Sequence, residues 1–310
     1  MPEITFIPPH ALNTPVLFLV FNRLDTTKQV FEEIKEAKPP RLYIAADGAR
    51  EFKVGEGDKV RSVRDYIMSN IDWECEVKTL FREKNLGCKV AVSSAIDWFF
   101  ENEKMGIILE DDCLPVQSFF WFCEELLDRY KDDMRVGQIS GDNFQKGIKR
   151  GDADYYFSSY CHVWGWASWR NRWNNYDSEL STFEDVGFIK EICHDAKTAR
   201  YWVDIFKKMK MKVIDTWDYQ WVFTLWKNKQ LSITPNINLV KNIGFGDEAT
   251  HTISDSEFSN LQAFNMLLYK HPEEVLRNYE ADDFTSKVMF RYQSLFNRIL
   301  IKIKKVIHAM

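Results

Sequence analysis

Apolar runs and polar breaks alternate with a steady rhythm over the first 115 residues. Residues 15–21 (PVLFLVF) form a continuous apolar run, as in a strand buried on both faces. Asp25 or Thr26 then offers a helix cap. Val30, Phe31, Ile34 and Ala37 follow at helical spacing, and Pro39-Pro40 ends the helix. Residues 41–47 (RLYIAAD) predict a second strand closed by Gly48, and Val60, Val63 and Ile67 mark a second helix. Residues 75–81 alternate as a third strand, 90–100 form a third helix, and 105–109 a fourth strand. This order implies an α/β fold: a mostly parallel sheet with helices on both faces. Ligands then bind outside the carboxyl ends of the strands.

After residue 115 the pattern changes. Residues 117–130 predict a helix, 136–140 a strand, 141–154 a Gly/Asp/Lys-rich loop and 155–159 another strand. An aromatic segment, WGWASW, covers 164–169. Residues 188–209 are mostly helical, and 217–227 form a helix with Trp217, Trp221 and 223–225 inward. Residues 231–255 return to short strands and a polar loop. No linker or low-complexity stretch divides the chain, so one compact unit is expected, followed by a helical tail over 256–310. From 285 onward the tail is basic, with Lys287, Arg291, Arg298, Lys302, Lys304 and Lys305 and no acid. Val288, Tyr292, Leu295, Ile299, Ile303 and Val306 recur at helical spacing. A basic amphipathic helix suits an anionic membrane surface, and equally a helix packed on the domain or on a second copy.

Composition narrows the classes. The 310 residues, 45% apolar, are enough for a substantial core. A net charge of −5 does not suggest nucleic acid as a partner. The six cysteines show no CxxC pair, as expected of reduced thiols in a cytoplasmic protein. The start, MPEITFIPPH, has neither a basic nor an apolar leader region, and no run approaches the length of a spanning helix. A GxGxxG after the first strand and a GxxxxGK[ST] are both absent, which argues against a dinucleotide fold and a P-loop.

The most informative stretch is IILEDDCLP, residues 107–115. Glu110, Asp111 and Asp112 stand together at the carboxyl end of a strand, where they repel unless a positive charge sits among them. A hard divalent cation shared with phosphates answers that need; a solvated acidic turn is the plainer alternative. Other strands deliver polar residues to the same rim: Asn22-Arg23, Asp47-Gly48, and Arg82 with Asn85-Leu86-Gly87. Eight of the 11 tryptophans fall between 164 and 226. Aromatic faces suit sugar rings, but tryptophan is also ordinary core.

Taken together, PVLFLVFNR, AADG, NLG, ILEDDCLP, WGWASW, WDYQW and NIGFGDEATHT make the chain resemble the GT-A class of nucleotide-sugar glycosyltransferases. More narrowly it is similar to a bacterial nucleotide-diphospho-sugar transferase (HlpA-like) group. It is distantly similar to the Golgi N-acetylglucosaminyltransferase of hybrid N-glycan synthesis. The resemblance covers roughly residues 14–255. It implies a nucleotide-sugar-binding half over 1–115 and an acceptor-binding, catalytic half over 116–255. It also implies an inverting transfer from a nucleoside-diphosphate sugar, UDP-linked for preference, to a hydroxyl of a glycan or lipid-linked acceptor in surface polysaccharide or glycolipid synthesis.

The same resemblance assigns roles. Asp112 is the ligand for Mn²⁺ or Mg²⁺, with Glu110 and Asp111 in support. Asp47 accepts from the base, while Arg23, Asn85 and Lys89 face the nucleotide or diphosphate. Trp164, Gly165 and Trp166 wall the sugar pocket, with Trp166 stacking on a sugar. His251 reaches metal or diphosphate, and Asp218 is the base, with Asp215 its near-equal rival. WDYQ stands where the Golgi enzyme has two adjacent acids, so the register of the base is open. Two competitors remain: a sugar nucleotidylyltransferase, for which FNRLDTT lacks a Gly-rich loop, and a non-catalytic carbohydrate-binding protein.

Overall fold

The computed structural model describes residues 5–183, 187–245 and 261–290. The first half follows the alternation of the sequence: β1 (Val16–Val20), α1 (Leu24–Ala37), β2 (Arg41–Ala46), α2 (Glu56–Asn70), β3 (Glu76–Phe81), α3 (Gly87–Asn102) and β4 (Met105–Glu110). The second half adds β5 (Cys113–Pro115), α4 (Ser118–Arg129), β6 (Val136–Ser140), β7 (Tyr155–Ser158) and β8 (Trp166–Trp169). It continues through α5 (Arg170–Trp173), α6 (Gly187–Ile192), α7 (Ala196–Lys210), α8 (Asp218–Lys227), β9 (Leu231–Pro235), β10 (Val240–Asn242) and α9 (Tyr279–Met289).

Eight strands form one sheet in the order β3-β2-β1-β4-β8-β6-β9-β7. Within it β3, β2, β1, β4, β6 and β9 run parallel, and β8 and β7 run against them. This is the mostly parallel, helix-flanked α/β sheet implied by the GT-A resemblance. β5 and β10 pair as a small antiparallel ribbon beside it.

Alternate side chains of each central strand feed two cores. Val16, Phe18, Val20, Ile107 and Leu109 pack with α1 and α4 on one face. Leu17, Leu19 and Ile108 meet α3, α7 and α8 on the other. Burial on both faces explains why these strands read as unbroken apolar runs.

Three local features depart from the sequence pattern. WASW is a fully buried antiparallel strand between β4 and β6, not a loop. The helical stretch after 187 breaks in two, because Asp195 caps α7 by accepting from the backbone N–H groups of Lys197 and Thr198. α1 opens at Leu24 without a side-chain cap. His251 and the tail beyond residue 290 lie outside the described residues, so the assignments made to them are left as expectations.

Candidate functional site

Chain order reverses at β1: β2 lies on one side and β4 on the other. A crevice outside the carboxyl ends of strands at such a point is the usual ligand site of an open α/β sheet. Here it is a cleft of about 510 Å³. It is lined by Phe21 to Arg23 after β1, Asp47 and Arg50 after β2, Arg82 and Asn85 after β3, and Glu110 to Asp112 at the end of β4. Val163, Trp164, Asp215 to Asp218, Asn242 and Gly244 complete the lining. Arg23, Asp47, Asn85, Glu110, Asp111, Asp112, Trp164 and Asp218 are therefore gathered in one place.

Arg23 clamps two of the three acids. Arg23 Nη2 donates to Asp111 Oδ1 at 2.5 Å and to Asp112 Oδ2 at 2.8 Å. Asp111 also accepts from the Phe21 N–H at 3.3 Å and is 4% exposed, which makes it the inner anchor of the clamp. Burial works against the Arg23 charge, but the two carboxylates outweigh it and hold the guanidinium above its ordinary value. Glu110 is pushed up to about 8, first by burial and then by Asp112, Asp111 and Asp218. Asp111 is pushed up to about 6, burial outweighing the nearby Arg23.

Behind the triplet, the Ile243 N–H donates to the Asp112 carbonyl at 2.8 Å. A Cβ on Gly244 would lie 2.1 Å from Asp112 Oδ2. The segment leaving β10 thus fixes Asp112 through backbone that passes too close for a side chain.

Asp47 lies on the wall, but its carboxylate is committed. It accepts from the N–H groups of Gly48, Leu86 and Gly87 and from Asn85 Nδ2, at 2.9–3.2 Å. Burial is the main cause that raises it, and these donors oppose the shift. Its visible task is to shape the Asn85–Gly87 turn, rather than to present a lone pair to a base.

Three more expected residues are placed differently. Lys89 Nζ pairs with Glu179 at 2.7 Å and does not line the cleft; only its backbone N–H reaches a lining residue, donating to Asp215 Oδ1 at 3.3 Å. Trp166 is fully buried, its ring stacked on Trp217 at 5.6 Å and tilted on Trp173 and Trp221. It is core and has no open face for a sugar. Gly165 lies just behind the wall at φ +69°, where a Cβ would meet Val240 and Leu109. Its glycine serves packing and a left-handed backbone, not contact with a ligand. Trp164 does face the cleft, half-buried, with its edges braced by Phe144 and Phe245 at 5.0 and 5.8 Å.

Asp218 opens α8 within electrostatic reach of Glu110 and accepts from Thr216 Oγ1 at 2.5 Å. Asp215 sits at the start of α3, beside Gly87 and the Lys89 N–H. Sequence reasoning did not select Arg50, Cys88, Thr216 or Gly244, which also line the cleft. Arg50 is held by Glu56, which is 4% exposed and also accepts from Asn22 Nδ2 at 2.9 Å. Arg82 Nη2 donates to Ser94 at 2.8 Å, and burial pulls its guanidinium below its usual value. The strand-end rule pointed to Arg82; nothing local in the sequence marks Gly244.

No protein-family model matches the chain, and no curated protein matches it. Among solved structures it is similar to HddC from Yersinia pseudotuberculosis, at 10% identity and a TM-score of 0.31, over 51% of this chain and 77% of that one. HddC complexed with GMP-PN gives the same figures. The glycosyltransferase GlyE of Streptococcus pneumoniae TIGR4 is similar at 10% identity and a TM-score of 0.34, over 71% of this chain and 45% of that one. At this identity and these TM-scores, nothing about the reaction follows from either likeness.

Proposed function

We propose that the chain is a metal-dependent, inverting GT-A glycosyltransferase that uses a nucleoside-diphosphate sugar. The observation that carries this reading is the meeting of two unlike parts in one cleft. Arg23, Arg82 and the acidic triplet line it together with an aspartate at a helix start.

The triplet fits a hydrated cation better than a closed cage. Among the described residues no three metal-ligating side chains converge. Mg²⁺ and similar ions are held by one or two carboxylates together with water and substrate phosphates. Burial, and then Asp112, Asp111 and Asp218, raise Glu110, so a cation among these carboxylates would be favoured. Asp112 is the ligand this reading assigns. When bound there, Mn²⁺ or Mg²⁺ would offset the charge that builds on the departing diphosphate.

The chain's own residues do the rest. Arg23 holds Asp112 and Asp111 in register. Arg82 offers a guanidinium to the anionic part of the donor, and the Asn85–Gly87 turn presents backbone to the nucleotide. Trp164 offers an aromatic wall to a sugar ring. Asp218 takes the proton from the acceptor hydroxyl, whose oxygen attacks the anomeric carbon opposite the leaving group. Acceptors of the glycan or glycolipid kind match this chemistry. A nucleotidylyltransferase is disfavoured at β1, where Asn22 and Arg23 are spent on Glu56, Asp111 and Asp112 and no Gly-rich loop is present.

Thermal shift and nucleoside-diphosphate release test this directly. UDP or another nucleoside diphosphate should raise Tm only together with Mn²⁺. Asp112→Asn should abolish that shift. Asp218→Asn should keep it and lose transfer by about 10²–10⁴-fold, the range of a general base. Undiminished transfer by Asp218→Asn removes it as the base. If no nucleoside diphosphate stabilises the protein with Mn²⁺, the enzyme reading fails in favour of a carbohydrate-binding protein.

A further inference from the structure

Six of the exposed large hydrophobic side chains lie on segments that border the cleft: Phe52, Val54, Leu86, Met211 and Val213 on loops, and Val90 in the first turn of α3. Phe52 is 81% exposed, and Met211 and Val213 are 65% and 66% exposed. Nothing in the donor chemistry uses them.

The loops that carry them are tied side by side. Gly48 lies so close to the next loop that a Cβ would sit 2.4 Å from the backbone of Lys84, and its carbonyl accepts from Asn85 at 2.8 Å. The start of α3 is joined to the α7–α8 connection through Asp215, and Glu179 bridges Lys89 at 2.7 Å and Lys212 at 3.4 Å. Residues 49–55, 83–90 and 211–215 therefore form one continuous rim, and Arg50, Asn85, Gly87 and Asp215 on it reach into the cleft.

Charge favours one kind of partner. The chain as a whole is acidic, at −5, yet residues 207–213 read KKMKMKV; Lys208 pairs with Asp204 and Lys212 with Glu179, and Asp215 follows, so Lys207 and Lys210 carry most of the local excess. Lys53 and Lys84 add to the same rim, against Glu51 and Glu83. Lys207, Lys210 and Lys212 are exposed, and Met211 and Val213 stand between and beyond them. Apolar tips set among lysines are what an anionic bilayer surface takes up: the tips enter the headgroup layer while the ammonium groups stay with lipid phosphates.

We propose that this rim docks the protein on an anionic lipid surface, with the cleft opening toward the bilayer. The proposal does not use the basic tail, and it holds whether or not Asp218 is the base. If the proposed transfer is correct, a lipid-linked acceptor would meet the cleft without leaving the membrane plane.

Co-sedimentation of the full chain with phosphatidylcholine vesicles, with and without phosphatidylglycerol, tests the rim. Binding should need phosphatidylglycerol and weaken as salt rises. Met211→Asp with Val213→Asp, and separately Phe52→Asp with Val54→Asp, should each lower binding by about tenfold or more, at unchanged Tm. Lys302→Glu, Lys304→Glu and Lys305→Glu together report the tail, and the rim variants should lose binding with the tail intact. The proposal is overturned if the wild-type chain ignores phosphatidylglycerol vesicles, or if both rim variants sediment like wild type.

Discussion

Gly244 shows how closely the site is built at the scale of single residues. A methyl group there would lie 2.1 Å from Asp112 Oδ2 and 2.8 Å from Arg23 Nη1. Those two are ends of side chains and can swing aside, but Asp112 Cβ, also 2.8 Å away, is tied to the backbone and cannot. Gly244→Ala should therefore cost about 1–3 kcal/mol of stability, as overpacked sites do, and abolish or sharply weaken the nucleotide-plus-Mn²⁺ shift; a variant that keeps the full shift would show that Asp112 placement is not critical. Glu110 sets a pH dependence of known sign. Its carboxyl is raised from 4.5 to about 8 in the folded protein. A raised acid contributes stability that is present below the unfolded value and lost as pH rises through the folded one. Tm without a divalent cation should then fall between about pH 5 and 8, and the fall should be shallower in Glu110→Gln. Fully buried Asp142 and Asp282 are also raised and push the same way, so only the difference between the two proteins reports Glu110. Equal slopes would remove Glu110 as a source. Mn²⁺ with nucleotide should restore more Tm at pH 8 than at pH 5.5.

At the scale of elements, the decisive contact joins the ends of β2 and β3. Asp47 draws in the Asn85–Gly87 turn, and Gly48 passes against the backbone of Glu83 and Lys84. Backbone cannot step aside as a side chain does. Gly48→Ala should cost about 1–3 kcal/mol of stability, as overpacked sites do, and weaken nucleotide binding by spreading the two loops. Urea unfolding and nucleotide titration read the two effects; a neutral result would mean that the loops move independently. The first four strands and three helices were legible because apolar runs, Pro39-Pro40 and strand-end acids are local signals. β8 was not, because WASW is four residues long and buried on both faces, so it shows neither alternation nor turn residues. The break between α6 and α7 turns on one capping aspartate inside a stretch that keeps its helical spacing. The clustering of strand-end residues was legible from topology alone. That Asp47 would be consumed by a neighbouring loop, or Lys89 by Glu179, was not, since partners 40 and 90 positions away leave no mark on local sequence.

Across the whole molecule, the tryptophan-rich stretch resolves into two kinds of position. Trp166, Trp169, Trp173, Trp202, Trp217, Trp221 and Trp226 are buried, and most join the core between α3, α5, α7 and α8. Trp164 alone of the eight presents a half-exposed face to the cleft. Two residues apart in sequence, Trp164 and Trp166 should therefore fail in different ways. Trp166→Ala removes a side chain stacked among three other tryptophans and should cost about 3–5 kcal/mol, as for other large-to-small core changes. Denaturant unfolding should show that loss, and any activity that remains in the folded fraction should keep its ordinary KM. Trp164→Ala should leave the unfolding midpoint within a small shift and raise KM for one of the two sugars. Comparing KM for donor and for acceptor then tells which ring it meets. The reverse pattern, with Trp164 setting stability and Trp166 setting KM, would place the sugar wall one turn of chain away, inside what is here the core.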